Sequence, residues 1–423
     1  MLKTPIARGV ALATLGATLA IPTMAQAAFI EDTKAGLELR NFYYNSDNRT
    51  NASTAQSKQE EWAQGFILRI ESGFTEGTVG FGVDALGLLG VKLDSSADRA
   101  GTGLLPGGFN DEAPDDYSSL HATAKMKVSK TILKVGAIEP KNMAIARSDS
   151  RLLPQTFQGA QLVSKEVDGL TLDVGYLTEQ NNRDSSNYED ISFSGKHFKD
   201  GTKAVATGEP EDFMFAGATY SLMKNLTGAY YYSNLEEAYK QHSFNLVHVL
   251  PIGENQSLKT DLRYARSTDD GSSTVDNKAF GAMVTYSVSG HSFGVAYQKM
   301  SGDTGFAYAG QSTDPFLVNY VMLSADFANA DEKSWQARYD YNFAAMGIPG
   351  LTFMTRYVTG DDFGTGGNSK EWERNTDIGY VFQEGTLKNL GVKWRNGTYR
   401  SSNNGDKDID QNRLIVSYTI PLM

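Results

Sequence analysis

The sequence predicts an all-β fold, a transmembrane antiparallel β-barrel of about 18 strands. Three observations favour it. Apolar and polar residues alternate with a period of two from residue 34 to the C-terminus, the alternating segments are about ten residues long, and short turns alternate with long polar connections. A tilted strand of about ten residues is long enough to cross a bilayer.

The alternation is complete in the segment 335–342, where every odd position is apolar or aromatic and every even position is polar. Successive side chains of a strand point to opposite faces, so one face of such a segment meets lipid and the other meets water. Aromatic triplets at 42–44 and 230–232 lie at segment ends. That position is typical of the aromatic girdles at both membrane interfaces of a barrel.

Long polar connections follow every second segment, and the turns between them are short. The long connections are 46–59, 93–117, 139–158, 180–211, 268–276, 301–332, 360–373 and 401–410. Short periplasmic turns and long extracellular loops are the pattern of bacterial outer-membrane barrels. One more apolar segment, Leu317–Phe327, would make the strand number odd, so we place it inside 301–332 as a tucked segment. We call 139–158 loop 3 and 301–332 loop 7.

The N-terminus has the order of a secretory signal peptide, which we assign to residues 1–27. Lys3 and Arg8 precede an apolar run at 10–21, and Ala25-Gln26-Ala27 forms a small-residue cleavage site. The alternative is an uncleaved membrane anchor, but the run is too short to span a bilayer of about 30 Å. Residues 28–423 then form a single outer-membrane β-barrel channel domain.

Composition excludes several classes of function. The formal net charge is −11, which argues against binding nucleic acid through a general basic surface. There is no cysteine, and the five histidines are scattered without metal-binding spacing such as H-E-x-x-H. A barrel enzyme needs an activated nucleophile beside a base, and no such cluster is visible. We therefore expect no enzymatic activity, no cofactor and no metal.

If the apolar set faces lipid, the alternate set faces the lumen and is rich in cations. The inward cations are Arg40, Arg69, Lys125, Lys127, Lys134, Arg263, Arg338, Arg356, Lys393, Arg395 and Arg413. Arg374 and Arg400 lie at strand ends, where a bulge could reverse their facing. Inward acids accompany these cations, so one interpretation is that the charges only pair with each other.

The closing strands favour a functional interpretation. Lys393, Arg395 and Arg413 lie there, and Arg40 lies on the strand that seals against them, so one wall carries an excess of cations. A cationic wall in a narrow passage attracts anions. Arginine suits carboxylates because its planar fork binds them with two hydrogen bonds.

Loop 3 adds further basic residues to an apolar stretch. Arg147 and Arg151 lie just before the apolar residues Leu152, Leu153 and Phe157. Apolar side chains are costly on a solvent-exposed loop, so we expect loop 3 to fold inward and narrow the pore. The alternative is a solvent-exposed loop.

At these residues the chain resembles the OprD family of outer-membrane channels, which serve uptake of small carboxylate-bearing solutes. The resemblance covers essentially the whole of 28–423. It is carried by LELRNF at 37–42, GFGVDALGLLGVKL at 80–93, GTGLLP at 101–106, RLLPQTFQG at 151–159, QKMSGDTGF at 298–306 and DPFL at 314–317.

The resemblance implies an 18-stranded barrel in which loop 3 and part of loop 7 fold into the lumen. It also implies a ladder of basic wall residues that guides carboxylates; the matching positions are Arg40, Arg151, Lys393, Arg395 and Arg413. Lys393 departs from the arginine that is common at its position. A point charge there replaces a planar fork, which we expect to loosen geometric selectivity.

The sequence leaves the preferred solute open. We favour aromatic or cyclic carboxylates; the alternatives are basic amino acids and small peptides, for which Asp314 in loop 7 would supply an acidic contact, or unselective diffusion. The expected partners are small carboxylates together with outer-membrane lipid and lipopolysaccharide, with no nucleic acid. The expected location is the outer membrane of a Gram-negative bacterium, and the expected assembly is a monomer or a loose homotrimer.

Overall fold

The computed structural model describes residues 29–49, 56–195, 210, 212–323, 326–403 and 408–423. The signal peptide assigned to 1–27 lies outside the described residues. Within the described ranges, eighteen long antiparallel strands form one closed barrel. We number them β1 to β18 in the order of their ranges: Lys34–Arg49, Lys58–Glu71, Val79–Asp94, Asp116–Val128, Thr131–Ile138, Thr156–Ser164, Leu170–Asn181, Phe213–Met223, Leu226–Leu235, Tyr239–Gly253, Gln256–Asp269, Asp276–Val288, His291–Ser301, Lys333–Asn342, Leu351–Phe363, Ser369–Val381, Gly391–Ser401 and Asp408–Pro421.

The barrel closes because β1 pairs along its length with β18. Their register runs from Gly36 opposite Pro421 to Arg49 opposite Asp408. Every other strand pairs with its neighbours in the chain, so each strand is paired on both sides. Closure of this kind removes the free edges that an open sheet exposes. The predicted strand number and the antiparallel barrel are confirmed.

Three short strand segments and two 3₁₀ turns accompany the eighteen barrel strands. Tyr188–Glu189 extends the ladder at the end of β7, and Phe193–Gly195 pairs with Ala307–Ala309 of loop 7 outside the barrel sheet. The 3₁₀ turns are Phe343–Met346 and Thr365–Gly367. Among the described residues, no helix combines the length and apolarity required to span a membrane.

The two faces of the barrel wall differ as the alternation predicts. On β14, Trp335 is 56% exposed, whereas its neighbours Ser334 and Gln336 are buried. Leu120 on β4 and Val295 on β13 are exposed in the same way. The bare apolar face is the outer face, because apolar outward side chains are what a lipid-facing barrel surface requires.

The connections differ from the predicted pattern in one place. The long side of the barrel includes a further connection, 236–238, that joins β9 to β10 in three residues. Glu237 adopts a left-handed conformation with φ of 59°, and the Ala238 amide donates to the Leu235 carbonyl. This turn contains neither glycine nor proline, so no typical turn residue marks it in the sequence. The described residues of the segment Leu317–Phe327, which are 317–323 and 326–327, lie outside the barrel strands within loop 7, as predicted.

Candidate solute passage

Glycines on the inner face of the wall allow loops 3 and 7 to approach it closely. A Cβ atom on Gly65 of β2 would lie 3.1 Å from Cγ of Leu152, which is fully buried. A Cβ atom on Gly281 of β12 would lie 2.9 Å from a methyl group of Val318. Both glycines alternate with outward-facing residues, so these two loop side chains contact the inner face of the wall.

A chain of alternating charges ties loop 3 to the wall. Nη1 of Arg40 donates to Oδ1 of Asp149 at 2.7 Å, and Nη1 of Arg147 lies 3.1 Å from the other carboxylate oxygen of Asp149. Arg147 also pairs with Glu139, which accepts a two-pronged contact from Arg69 on β2.

Asp149 holds the middle of this chain. Burial alone would raise the pKa of Asp149, but Arg40 and Arg147 offset burial and hold it below its ordinary value. The predicted solute-binding residues Arg40 and Arg147 are therefore already engaged by carboxylates in this structure.

A second basic group has no carboxylate partner. Cζ of Arg151 in loop 3 lies 5.3 Å from the ring centroid of Tyr44, and Cζ of Arg413 lies 5.2 Å from the same ring. Arg151 donates to the Thr102 carbonyl at 2.8 Å, and Arg413 donates to the Met322 carbonyl at 3.0 Å. Neither arginine forms an ion pair within the described part of the chain. Their positive charges therefore remain uncompensated by acids.

Arg183, between β7 and β8, joins this group and was missed by the sequence reasoning. Its Nη1 donates to Ser148 Oγ and Ser150 Oγ, each at 3.0 Å. Its Nε is buried without a hydrogen-bond partner in the described structure. Burial, reinforced by the nearby charge of Arg151, lowers the pKa of Arg183 to about 10, so the guanidinium stays charged at neutral pH. An arginine beside an aspartate in a long polar connection gives no sequence signal of such a role.

A cavity of about 450 Å³ opens beside these arginines. Its lining combines two guanidinium groups and the carboxylate of Asp184 with aromatic, apolar and amide side chains; the lining includes Arg151, Arg183, Asp184, Tyr44, Phe109, Leu323 and Gln411. A cavity of this size accommodates a small organic molecule. Cations on one part of the lining and apolar surface on another suit a solute with a carboxylate and a ring.

The remaining wall cations are held in different ways. Nε of Arg395 on β17 lies 3.0 Å from Oδ2 of Asp377, the residue opposite it on β16. Arg356 on β15 is buried and donates to the Tyr320 carbonyl of loop 7 at 2.6 Å. Lys393 on β17 is exposed and forms no ion pair with any described residue. Arg395 is thus neutralised locally, whereas Arg356 and Lys393 keep a net charge.

Arg374 does not lie on the wall of the lumen, contrary to its inclusion among the solute-binding residues. It alternates with the buried inward residues Glu373 and Asn375, and it shares the outer face with Trp372 and Ile378. The bulge that could have reversed its facing occurs further along the ladder, beyond Asp361. Strand alternation therefore carries Arg374 to the outside.

Asp314 is engaged by basic partners. Its carboxylate lies 3.0 Å from Nζ of Lys141 in loop 3, and its carbonyl accepts a hydrogen bond from Arg263 at 2.8 Å. These contacts join loop 7 to loop 3 and to β11. The carboxylate of Asp314 is therefore already paired with Lys141, whereas binding of a basic solute would require it to be free.

A closed antiparallel barrel with an apolar exterior and a charged interior defines an outer-membrane channel protein. The sequence matches the outer membrane porins of the OprD family over residues 27–422, and the chain belongs to this family. Its location is accordingly the outer membrane.

Named relatives agree with this assignment. The chain is 38% identical to Porin D of Pseudomonas aeruginosa, over 93% of this chain and 92% of that protein. The crystal structure of Pseudomonas aeruginosa OpdQ has 57% sequence identity and a TM-score of 0.82, covering 94% of this chain and all of that one. The structure of Pseudomonas aeruginosa OpdK with vanillate has 36% identity and a TM-score of 0.84, covering 93% of this chain and all of OpdK. These relatives are porins, a class of channels and not of enzymes.

Proposed function

We propose that this porin mediates passive, substrate-selective uptake of small carboxylates, with aromatic or cyclic organic acids preferred. The observation that carries the proposal is the group formed by Arg151, Arg183 and Arg413 around Tyr44. Among the described residues these guanidinium groups donate hydrogen bonds to carbonyl and hydroxyl oxygens and form no ion pair, with the carboxylate of Asp184 near Arg183 as the one acid beside the group. A carboxylate entering the cavity supplies the missing negative charge.

The loops support selectivity over free diffusion. Leu152 of loop 3 and Val318 of loop 7 pack on inner-face glycines from opposite parts of the wall. Loops that fill space inside a closed barrel narrow the passage, so a solute passes close to the arginines. Lys393, a wall cation without an ion pair among the described residues, then continues the path, and several weak sites in a row permit passage without trapping.

The preference for a ring rests on the lining of the cavity. Phe109 and Leu323 give apolar surface beside the two arginines, and a benzoate-like acid matches both. The related OpdK was crystallised with vanillate, an aromatic carboxylate. A basic amino acid fits less well, because the carboxylate of Asp314 is paired with Lys141.

Single-channel recording in planar bilayers tests the proposal. We expect a low conductance that benzoate reduces in a saturable way, whereas L-arginine and an uncharged sugar of similar size do not. Saturable block by L-arginine alone would transfer the preference to basic amino acids. A high conductance indifferent to all three solutes would show an unselective diffusion porin and overturn the proposal.

A further inference from the structure

Four cations lie side by side on the outer face of the barrel, at the end of the wall that carries the long connections. They are Arg266 on β11, Lys278 on β12, Lys299 on β13 and Lys333 on β14, and we call them the rim patch. Each shares its face with exposed apolar or aromatic residues of its own strand, such as Phe280 and Trp335. The rim patch is therefore separated from the solute passage by the barrel wall.

The register places these cations in two like-charge pairs. Arg266 is directly opposite Lys278, and Lys299 is directly opposite Lys333. Like charges directly opposite on one face of an antiparallel pair are destabilising. Lys299 is also opposite Phe280, which makes Lys278 and Lys299 diagonal neighbours at roughly 7–8 Å. A repeated unfavourable pairing on adjacent strands points to an anion that offsets it.

Acids within the protein offset only half of this charge. Arg266 pairs with Asp276, and Nζ of Lys333 lies 2.6 Å from Oδ2 of Asp362. Asp361 is also opposite Lys333 on the neighbouring strand. Lys278 and Lys299 are exposed and form no ion pair with the residues that the structure describes. Two neighbouring ammonium groups thus remain open at the centre of the rim patch.

Aromatic side chains lie just below the rim patch. Tyr297 and Trp335 are each two residues from a rim lysine on the same face, and their ring centroids are 4.6 Å apart. Phe280 is 43% exposed beside them. Outward aromatic residues mark the level where acyl chains meet headgroups. The open lysines therefore stand at headgroup height, beside the strand end that leads into loop 7, on the extracellular side.

We propose that the rim patch binds the phosphate groups of lipid A, the membrane anchor of lipopolysaccharide, with Lys278 and Lys299 as the direct contacts. Lysine binds phosphate as a point charge, and two lysines at this spacing serve a headgroup with more than one phosphate. The acyl chains lie along the exposed aromatic and apolar face below. This role is independent of the solute passage, since it uses the opposite face of the wall.

The test compares two double variants of the full-length porin in detergent. Lys278→Gln with Lys299→Gln removes the open ammonium groups, and Lys224→Gln with Lys388→Gln makes the same charge change in two exposed turns at the other end of the barrel. Bisphosphoryl lipid A is titrated, and its apparent Kd is taken from the rise in melting temperature. We expect the rim variant to bind roughly 25-fold more weakly than wild type, about fivefold per lysine. The turn variant should bind like wild type.

Further measurements separate the alternatives. Without lipid, the rim variant should melt no lower than wild type, because a like-charge repulsion has been removed. If the double variant does not fold, each single variant is tested in its place, with an expected loss of lipid A affinity of about fivefold. Equal binding of lipid A by the rim variant and wild type overturns the proposal. The proposal is also overturned if phosphatidylglycerol micelles stabilise the wild-type porin as much as lipid A does. Loss of lipid A binding in EDTA overturns it too, because that result would assign the contact to a bridging divalent cation. Benzoate block should be unchanged in both variants, whatever the fate of the proposed uptake function.

Discussion

Replacing Arg183 by glutamine removes one positive charge from the solute cavity while keeping a donor near Ser148 and Ser150. Hydrogen bonds to charged groups contribute about 1.5–3 kcal/mol net. Losing about 2 kcal/mol corresponds to a roughly 30-fold higher Kd for a bound carboxylate. We therefore expect Arg183→Gln to weaken benzoate binding by about that factor.

The pKa of Arg183 sets a ceiling on this effect. Burial, together with Arg151, lowers the pKa of Arg183 from its ordinary value to about 10. At 1.36 kcal/mol per unit, the empty site disfavours the cation by roughly 3 kcal/mol. A carboxylate bound between Arg151 and Arg183 recovers part of this penalty. The binding free energy expected to be lost in Arg183→Gln, about 2 kcal/mol, is smaller than the penalty and is therefore consistent with it.

The same pKa predicts how binding depends on pH. Arg183 is protonated at neutral pH and loses its proton as the pH rises through about 10. Benzoate binding should therefore weaken above that pH. Because the folded pKa lies below the ordinary value, the contribution of Arg183 to stability rises as the pH increases above about 10. Weaker binding in this range should thus not be accompanied by loss of stability from this residue.

The assay is the benzoate concentration that halves the single-channel current. Arg374→Gln is the matched control, because it removes an arginine from the outer face and should leave that concentration within twofold of wild type. A value for Arg183→Gln within threefold of wild type would refute the assignment of the cavity as the carboxylate site. An equal shift in both variants would show that only total charge matters.

Three further predictions concern the wall and loop 3. Replacing Arg151 and Arg395 together by alanine should reduce anion selectivity, and unchanged reversal potentials in a salt gradient would contradict the role of these cations. The pKa of Asp149 is lowered in the folded protein, so the charge contacts of Asp149 stabilise loop 3 at any pH above the ordinary pKa of an aspartate, 3.8. This stabilisation is lost as the pH falls through the lower folded pKa, and fluctuations of the single-channel current should therefore increase only below about pH 4. Gly65→Val should cost about 1–3 kcal/mol of loop 3 packing through overlap with Leu152, seen as an altered conductance; an unchanged conductance would separate this contact from the pore.

The barrel was predictable because its determinants are local. Alternation needs only neighbouring residues, and turns between strands usually reveal themselves through glycine, asparagine or length. The connection 236–238 escaped because Glu237 adopts the left-handed conformation without such a residue. The facing of Arg395 and Arg413 followed from the same alternation. Plain alternation with the inward residues Glu373 and Asn375 places Arg374 on the outer face, whereas its inclusion among the solute-binding residues required a bulge that the ladder shows only beyond Asp361.

The partners of the site residues were not predictable, because they come from distant parts of the chain. Arg183 contacts Ser148 and Ser150 across more than 30 residues, and Arg413 reaches the Met322 carbonyl across 91. Such contacts depend on how loops from distant parts of the chain pack against the wall and against each other. The sequence could rank cations by facing, but it could not tell which of them meet acids.

That distinction explains how a chain with net charge −11 can present a basic passage. Arg40 and Arg395 lie on the inner wall but face Asp149 and Asp377, so they contribute little net field. Arg151, Arg183 and Arg413 donate hydrogen bonds to neutral oxygens and form no ion pair with a described residue, so the proposed function assigns their charge to the solute. Under the proposed function, selectivity for carboxylates depends on the few cations without an ion-pair partner. Neither the net charge nor the number of inward arginines measures it.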